Sequence, residues 1–573
     1  MKRRNSTIAA SLAAALIVSS LTACTRQEPE TDDQTSSALN LNVCIASEPE
    51  TMDPQLNSAL DGGTMLNHML EGLTKWVDDG DGNAVLTQGQ AERWEKEGHE
   101  DGTVTYTFHL RDGIQWSDGK PVTADDFVFA WKRLVTPETG ADYANMLDMV
   151  QNYPGIYYGY DAEGKLANYD GAEAVRFDSP DTLGVKAEDE KTFVVTLSYD
   201  CPYFEEVCAF PACLPVRQDA IEQGGEQWTY DPDTFLCNGP YRLDERVPNS
   251  HIRLVKNEHY YNTEALGPET ITFRLMDDNN AILNSFRNGE LQFIMSLPVD
   301  EIAAYLASGQ LQVKDYLGTY YVCFQTEKPP FDDARVRKAF SLVIDRNYIV
   351  NQITQTGQIP ADAYVPYGMR DADPEGEDFR TVGGGYYSVA EEDYQKNCEE
   401  ARRLLAEAGY EGGAGFPVVE YLYNNSTNHK AIAEALQQMW QKELGVTVTL
   451  NNQEWGAFLQ TRKEGNYSIA RNSWTADYND PMCFLDMWVT GGGNNDAQYS
   501  NAAYDAAIAA AKSTSDPAER MKQMHEAERI LMEEDAVLAP VYFYTQMYLL
   551  DESLEGLYYT PLGYYFFSSV HRK

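Results

Sequence analysis

The chain has 573 residues, too many for a single hydrophobic core, and its 43% hydrophobic and 12% aromatic content can build roughly two to four domains. A formal net charge of −45 excludes a protein that grips nucleic acid, whose phosphates demand clustered Lys and Arg. The same surplus of acids fits a solvated, exported protein and names no substrate. In chain order, residues 41–46 form a short β-rich run, followed by turn signals at Pro49 and Pro54. Residues 64–73 have helical spacing. Residues 103–110 alternate as a half-buried strand, and turns at Gly113 and Gly119 frame Trp116. Thr123 is placed to cap a helix carrying Asp126, Phe127 and Trp131, its hydroxyl serving the first backbone amides. Strands are expected at 192–198, 251–256 and 270–276. Residues 360–387, rich in Gly, Asp and Pro, read as a surface excursion. Ile432, Leu436, Met439 and Leu444 lie at helical spacing, and Gly445 follows where a C-terminal cap needs positive φ. A strand at 446–450, a helix at 455–459 and a strand at 467–471 come next. This order predicts an α/β protein with mixed sheets and ligand groups at strand ends.

At the N-terminus, Lys2, Arg3 and Arg4 precede an apolar stretch at 8–18 that is too short to cross a bilayer. Leu21, Thr22, Ala23 and Cys24 follow. The pattern resembles a bacterial lipoprotein signal, which implies cleavage before Cys24 and lipid on its thiol and amino group. Residues 1–23 are then the signal peptide and 24–38 the lipidated cysteine with a polar, acidic tether. The implied location is the extracytoplasmic face of the cell membrane, through acyl chains. Eight further cysteines contain no CxxC pair, so a zinc ribbon is not indicated. Disulfides and buried thiols both fit them, with Cys201, Cys208 and Cys213 the favoured place for a local bridge.

No two of the eight histidines sit three or four apart on a helix. His525 and Glu526 begin like a zinc-protease helix, but Arg529 occupies the second ligand position. There is no nucleophile elbow and no phosphate loop followed by lysine. The chain therefore reads as a binder rather than an enzyme, with no cofactor or metal. The run from Trp474 to Pro481 sets Asp477 among aromatics and turn formers, with Arg471 a few residues before. An anion and a cation in one short segment suit a zwitterionic ligand. The 37 tyrosines fit both a ligand cleft and an ordinary core.

A more specific signal lies in several segments taken in order. They are Ser47 to Pro54 with Glu71, Gly72 and Leu73; Thr107 to Arg111 with Trp116 to Gly119; Pro121 to Phe127; Asn238 to Tyr241; Pro330 to Arg337; and Trp474 to Pro481. Together they resemble the oligopeptide-binding proteins of bacterial ABC importers, the family-five extracellular solute-binding proteins. The resemblance implies a periplasmic-binding-protein-like two-lobe fold (type II, cluster C) with an extra third domain. Lobe I would comprise 39–70, 217–317 and 545–573, the extra domain 71–216, and the second lobe 318–544. It also implies short peptides as ligands, permease subunits as partners and a monomer. Relatives within the family that take nickel, haem or a sugar, and peptide-pheromone sensors, are the alternatives.

Carried over residue by residue, Asp477 matches the acid that pairs with the peptide amino terminus. Arg471 matches the arginine that receives the carboxylate of a short peptide, and His429 a histidine that meets that of a longer one. Trp455, Trp474 and Arg462 match side-chain pocket residues, with Tyr143 and Tyr321 as further contacts. Three positions depart from the pattern. Thr354 stands where a carboxylate-assisting lysine is found, Ser58 where the first lobe carries an acid, and Cys323 where a pocket acid lies.

Overall fold

The computed structural model describes residues 38–167, 174–373 and 376–573. The signal segment, Cys24 and the tether through residue 37 lie outside them. Residues 39–573 form one compact unit.

An 11-stranded mixed sheet runs through it. From one edge its order is Val448–Gln453, Val419–Asn424, Ile469–Thr475, Gln312–Phe324, Leu538–Leu550, Phe293–Ile294, Asn40–Cys44, Thr270–Arg274, His251–Lys256 and Tyr241–Val247, with Ile359–Pro360 paired beside Leu538–Leu550. Two strands of 13 residues, Gln312–Phe324 and Leu538–Leu550, hold its middle. Their antiparallel register breaks between Asp315 and Thr319, where three residues have no partner on the neighbouring strand. On one side of that break the helices Ala334–Leu342, Tyr394–Glu407 and Thr427–Leu444 cover the sheet, and Trp440 donates its indole N–H to the Phe340 carbonyl at 3.0 Å. On the other side Ile282, Leu283, Ile302 and Leu549 share a smaller apolar core.

A separate four-stranded sheet joins Ala91–Gly98, Val104–Leu110, Thr192–Leu197 and Val185–Asp189. In Val104–Leu110 every second side chain is buried, as the alternation predicts. The helix Ala124–Val135 packs on it, with Trp131 edge-on to Phe193 at 5.1 Å. Thr123 does head this helix, and its N–H and hydroxyl both donate to one Asp126 oxygen, at 2.8 and 3.1 Å. These are the two-lobe architecture and the extra domain that the sequence leads one to expect.

Several expectations need correction. The first helix is Leu60–Met69 and begins four residues before the expected start, which the sequence pattern hides because Gly62 and Gly63 in its first turn are poor helix formers. A Cβ on Gly62 would stand 2.1 Å from Asn57 Oδ1, so packing rather than propensity places glycine there. The strand at 467–471 is instead Ile469–Thr475 and carries Trp474 within it. The 360–387 segment is a surface excursion only in part, with residues 381–385 exposed. Its Ala361, Ala363, Tyr364, Val365, Met369 and Phe379 are all buried, and Arg380 pairs with Glu528 beneath it. No bridge forms at Cys201, Cys208 and Cys213; all eight described cysteines are free and buried. Burial alone pushes the Cys213 thiol upward in pKa, as expected of an inert core thiol. Gly445, at φ 72°, caps the Thr427–Leu444 helix as expected.

Candidate functional site

The Ile469–Thr475 strand aligns with Val419–Asn424 only at Ile469 and Ala470, and on its other edge with Gln312–Phe324 along its whole length. From Arg471 to Thr475 one backbone edge is therefore left outside the ladder, and those same residues line a cavity of about 570 Å³. That volume is in the usual range for an organic ligand site, roughly 300–1,000 Å³. The opposite wall comes from Cys44 to Ser47 and Asn57 to Asp61, so both halves of the large sheet contribute.

Beyond the strand the chain is held firmly before and after Asp477. The Ala476 N–H donates to the Leu317 carbonyl at 2.7 Å. Tyr478 stacks on Tyr203 with centroids 4.0 Å apart, and the Asn479 N–H donates to Glu206 at 2.8 Å. Asp480 takes both guanidinium nitrogens of Arg520, at 2.7 and 2.8 Å. The carboxylate of Asp477 lines the cavity with no cation beside it among the described residues. Tyr143 donates its hydroxyl to it at 3.2 Å and Cys483 its thiol at 3.4 Å. Burial raises its pKa to about 7, although those two hydrogen bonds pull the other way.

Arg471 is only 7% exposed, and its Nε has no hydrogen-bond partner. No carboxylate pairs with it among the described residues. Its guanidinium lies 5.3 Å from the Tyr320 ring centre, within a set of tyrosines that includes Tyr421, Tyr542 and Tyr544. The ring of His429, in the first turn of Thr427–Leu444, lies 5.7 Å from Tyr320. Burial, then the charge of Arg471, hold that imidazole well below its ordinary pKa, and its Nδ1 is unpartnered. His429 is thus a neutral hydrogen-bonding group at neutral pH.

Trp455 and Trp474 also line the cavity; Trp474 is fixed by its indole N–H to the Cys483 carbonyl at 2.9 Å. Arg462 lines it too, but its charge is matched by Asp496, 2.7 Å away. Tyr143 sits between Phe210 and Trp474 and orients Asp477. Tyr321 is not brought to this cavity. It points to the other side of its strand, fully buried against Tyr364 and Trp488, because neighbouring positions of a strand face opposite ways. Thr354 and Cys323 are likewise buried away from it, Thr354 donating to Gln358 at 2.9 Å and Cys323 lying 3.2 Å from the Tyr467 hydroxyl. Ser58 does line it. Sequence reasoning missed the tyrosines around Arg471 and the acid Asp61 on the facing wall. Tyr542 and Tyr544, two apart in one strand, were the available signal for the first.

A cavity shared by two sheet halves, with a cation on a strand and an acid just beyond its end, neither with a counter-ion among the described residues, is an arrangement that suits a solute receptor. Residues 86–496 match the model of bacterial extracellular solute-binding proteins, family 5. The chain belongs to this family. Among the family 5 proteins, the periplasmic oligopeptide-binding protein OppA of Salmonella typhimurium is 35% identical over 557 residues, 96% of this chain and 95% of its own. The crystal structure of Haemophilus influenzae OppA in complex with RPPGFSPFR superposes with a TM-score of 0.82 at 31% identity, covering 93% of this chain and 99% of that one. The murein tripeptide binding protein MppA of Escherichia coli matches at 0.81, with 32% identity and coverage of 93% and 99%. The unliganded open form of MppA matches at only 0.60, with 32% identity and coverage of 93% and 98%. Identity and coverage being equal, this family 5 chain adopts an arrangement unlike that open form.

Proposed function

We propose that the protein captures short peptides in this cleft, outside the cytoplasm, and delivers them to the permease of an ABC importer without acting on them chemically. The observation that carries the reading is a pair of opposite charges, Asp477 and Arg471, that line one cavity and have no counter-ion among the described residues. A buried charge without a counterion is costly, so each end of the strand segment calls for a ligand group of opposite sign. The edge from Arg471 to Thr475, with Asp477 beyond its end, runs for roughly 13 Å, enough for a short extended peptide to lie along. Asp477 takes the ligand ammonium, with Tyr143 orienting it; Arg471 takes the carboxylate, and His429 that of a longer ligand. Trp455, Trp474 and Arg462 wall the side-chain spaces. The peptide main chain adds to the free edge at 471–475, which gives affinity independent of side-chain identity.

The lobes assigned here are 39–70, 217–317 and 545–573 against 318–544, with 71–216 as the extra domain. Supporting these limits, both crossings fall within the two long central strands, beside the register break at Asp315 to Thr319. Contacts from one ligand to both walls favour the closed arrangement, and that is the state a permease would read. Lipid at Cys24 would hold the protein at the membrane; among the described residues no helix is long and apolar enough to cross one. Metabolic labelling with a fatty-acid analogue is expected to mark the wild type and not Cys24→Ser. Native mass spectrometry of the purified protein should show bound masses that fragment as peptides. A bound sugar, haem or metal in their place would overturn the reading.

The pKa of Asp477 carries its own prediction. A carboxyl that titrates near 3.8 unfolded and about 7 folded binds more protons in the folded state, so it removes stability as pH rises between those values. A bound ammonium reverses this by drawing the group into its ionised form. Peptide binding at about pH 6 should therefore release close to one proton, read by calorimetry in buffers of different ionisation enthalpy. Asp477→Asn should release none through this group.

A further inference from the structure

With the lobes assigned as above, the extra domain leaves and re-enters the first lobe at 71 and 216 and shares no chain crossing with the second. Side chains reinforce that attachment. Arg133 holds Asp53 at 2.7 and 2.5 Å, the Lys75 ammonium donates to the Tyr260 and Tyr261 hydroxyls at 3.0 and 2.7 Å, and Gln55 donates to the Ala212 and Leu214 carbonyls at 3.2 and 3.1 Å. An extra domain held in this way travels with the first lobe. Each contact it makes with the second lobe then forms or breaks as the cleft shuts or opens.

One of those contacts is an ion triad. Lys512, in the helix Ala502–Ser513 of the second lobe, meets Asp486 of its own lobe at 2.7 Å and Asp148 of the extra domain on its other side. The side chains of Lys512, Asp148 and Asp486 are only 20%, 14% and 11% exposed. Tyr199 adds its hydroxyl to Asp148 at 3.3 Å. Burial raises the Asp148 pKa, Lys512 pulls it down, and Asp486 adds to the rise. Two acids thus meet in one poorly solvated place, and the ammonium between them turns repulsion into attraction. The Tyr203 stack on Tyr478 and the Glu206 bond to the Asn479 N–H join the same two bodies. None of Asp148, Asp486 and Lys512 is among the described residues that line the cleft.

We propose that this triad is a closure latch: Lys512 binds the extra domain to the second lobe only while the cleft is shut, and so sets how long any peptide is held, whatever its sequence. The inference rests on the lobe limits and the peptide-capture reading above. Opening leaves Lys512 with Asp486 and returns Asp148 to water. Without Lys512, closure sets two carboxylates against each other, which tips the lobes apart. The apparent affinity of every ligand then falls by one factor, the loss in the fraction of closed protein.

The test titrates ligand-stripped wild type, Lys512→Met, Asp148→Asn and the double variant with Ala-Ala-Ala, Ala-Phe-Ala and Lys-Ala-Ala by calorimetry, with dissociation rates from stopped flow. Lys512→Met should weaken all three peptides alike, by roughly tenfold or more, with most of the change in the dissociation rate. Adding Asp148→Asn to Lys512→Met should recover part of that loss, because the repulsion goes with the second acid; a loss of packing would not be recovered. Affinities within about twofold of wild type in Lys512→Met, a loss that differs from peptide to peptide, or no recovery in the double variant overturns the latch. Should Lys512→Met not fold, Asp148→Asn takes its place: it removes the cross-lobe arm alone and should weaken the three peptides equally, and unchanged affinity overturns the latch. If the wild type binds none of the three, the capture reading falls and small-angle X-ray scattering decides the latch. Lys512→Met should then show a larger radius of gyration than the wild type, and equal radii overturn it.

Discussion

Replacing Asp477 with asparagine is expected to weaken peptide binding by roughly two to four orders of magnitude, the effect of about 3–5 kcal/mol for leaving one member of a buried charge pair unmatched. Two weak donors, the Tyr143 hydroxyl and the Cys483 thiol, steady the Asp477 oxygens, and among the described residues no cation answers its charge. Asparagine preserves the shape and the hydrogen bond from Tyr143, so the fold should survive. Because an unpaired acid with a raised pKa costs stability near neutrality, the unliganded variant should be no less stable than the wild type at pH 8. Calorimetric titration alongside chemical denaturation measures both. Undiminished affinity in Asp477→Asn would remove the ammonium site from Asp477.

The second large effect lies away from the ligand. Glu528→Gln should destabilise the protein by about 3–5 kcal/mol, read as a lowered denaturation midpoint. Arg380 and Glu528 are 1% and 0% exposed. One guanidinium nitrogen meets both carboxylate oxygens at 2.7 and 2.8 Å. The same carboxylate accepts the Tyr364 and Val365 N–H groups at 3.1 and 2.8 Å and the Tyr386 hydroxyl at 3.1 Å. Glu528 thus ties down the backbone of the 360–387 segment from a helix more than a hundred residues later. Neutralising it strands the guanidinium in the interior and weakens the acceptor of three further donors. The double variant Arg380→Met with Glu528→Gln should recover part of the loss, since no buried charge is then left alone. Equal stability of Glu528→Gln and wild type would refute this account of the segment.

That segment also shows where the sequence was readable and where it was not. Local signals were sound where one element decides its own form. The alternation at Val104–Leu110 reports a one-sided strand, and Gly445 reports a left-handed cap. The cavity-lining residues Asp477, Arg471, His429, Trp455, Trp474, Arg462 and Tyr143 lie within about fifty residues of one another, apart from Tyr143, and their order along the chain was visible. The 360–387 segment was misread because its Gly, Asp and Pro content speaks of turns, whereas its burial depends on Glu528, which no local pattern links to Arg380. The same reason hid Asp61. A first-turn acid looks like dipole compensation until the residues of the facing wall enclose a cavity in front of it. Tyr321 failed for a simpler reason, since a shift of one residue along a strand reverses the face, and its neighbour Tyr320 is the tyrosine that meets Arg471.

The central claim is that one cleft reads both ends of a peptide. Its most direct test is calorimetric titration of ligand-stripped protein with one tripeptide in three forms: unmodified, N-acetylated and C-amidated. The account predicts tight binding of the unmodified peptide and a loss of roughly a hundredfold or more on acetylation, with amidation also weakening it, through Asp477 and Arg471 respectively. Equal affinity for all three forms, or no heat with any peptide, would contradict it.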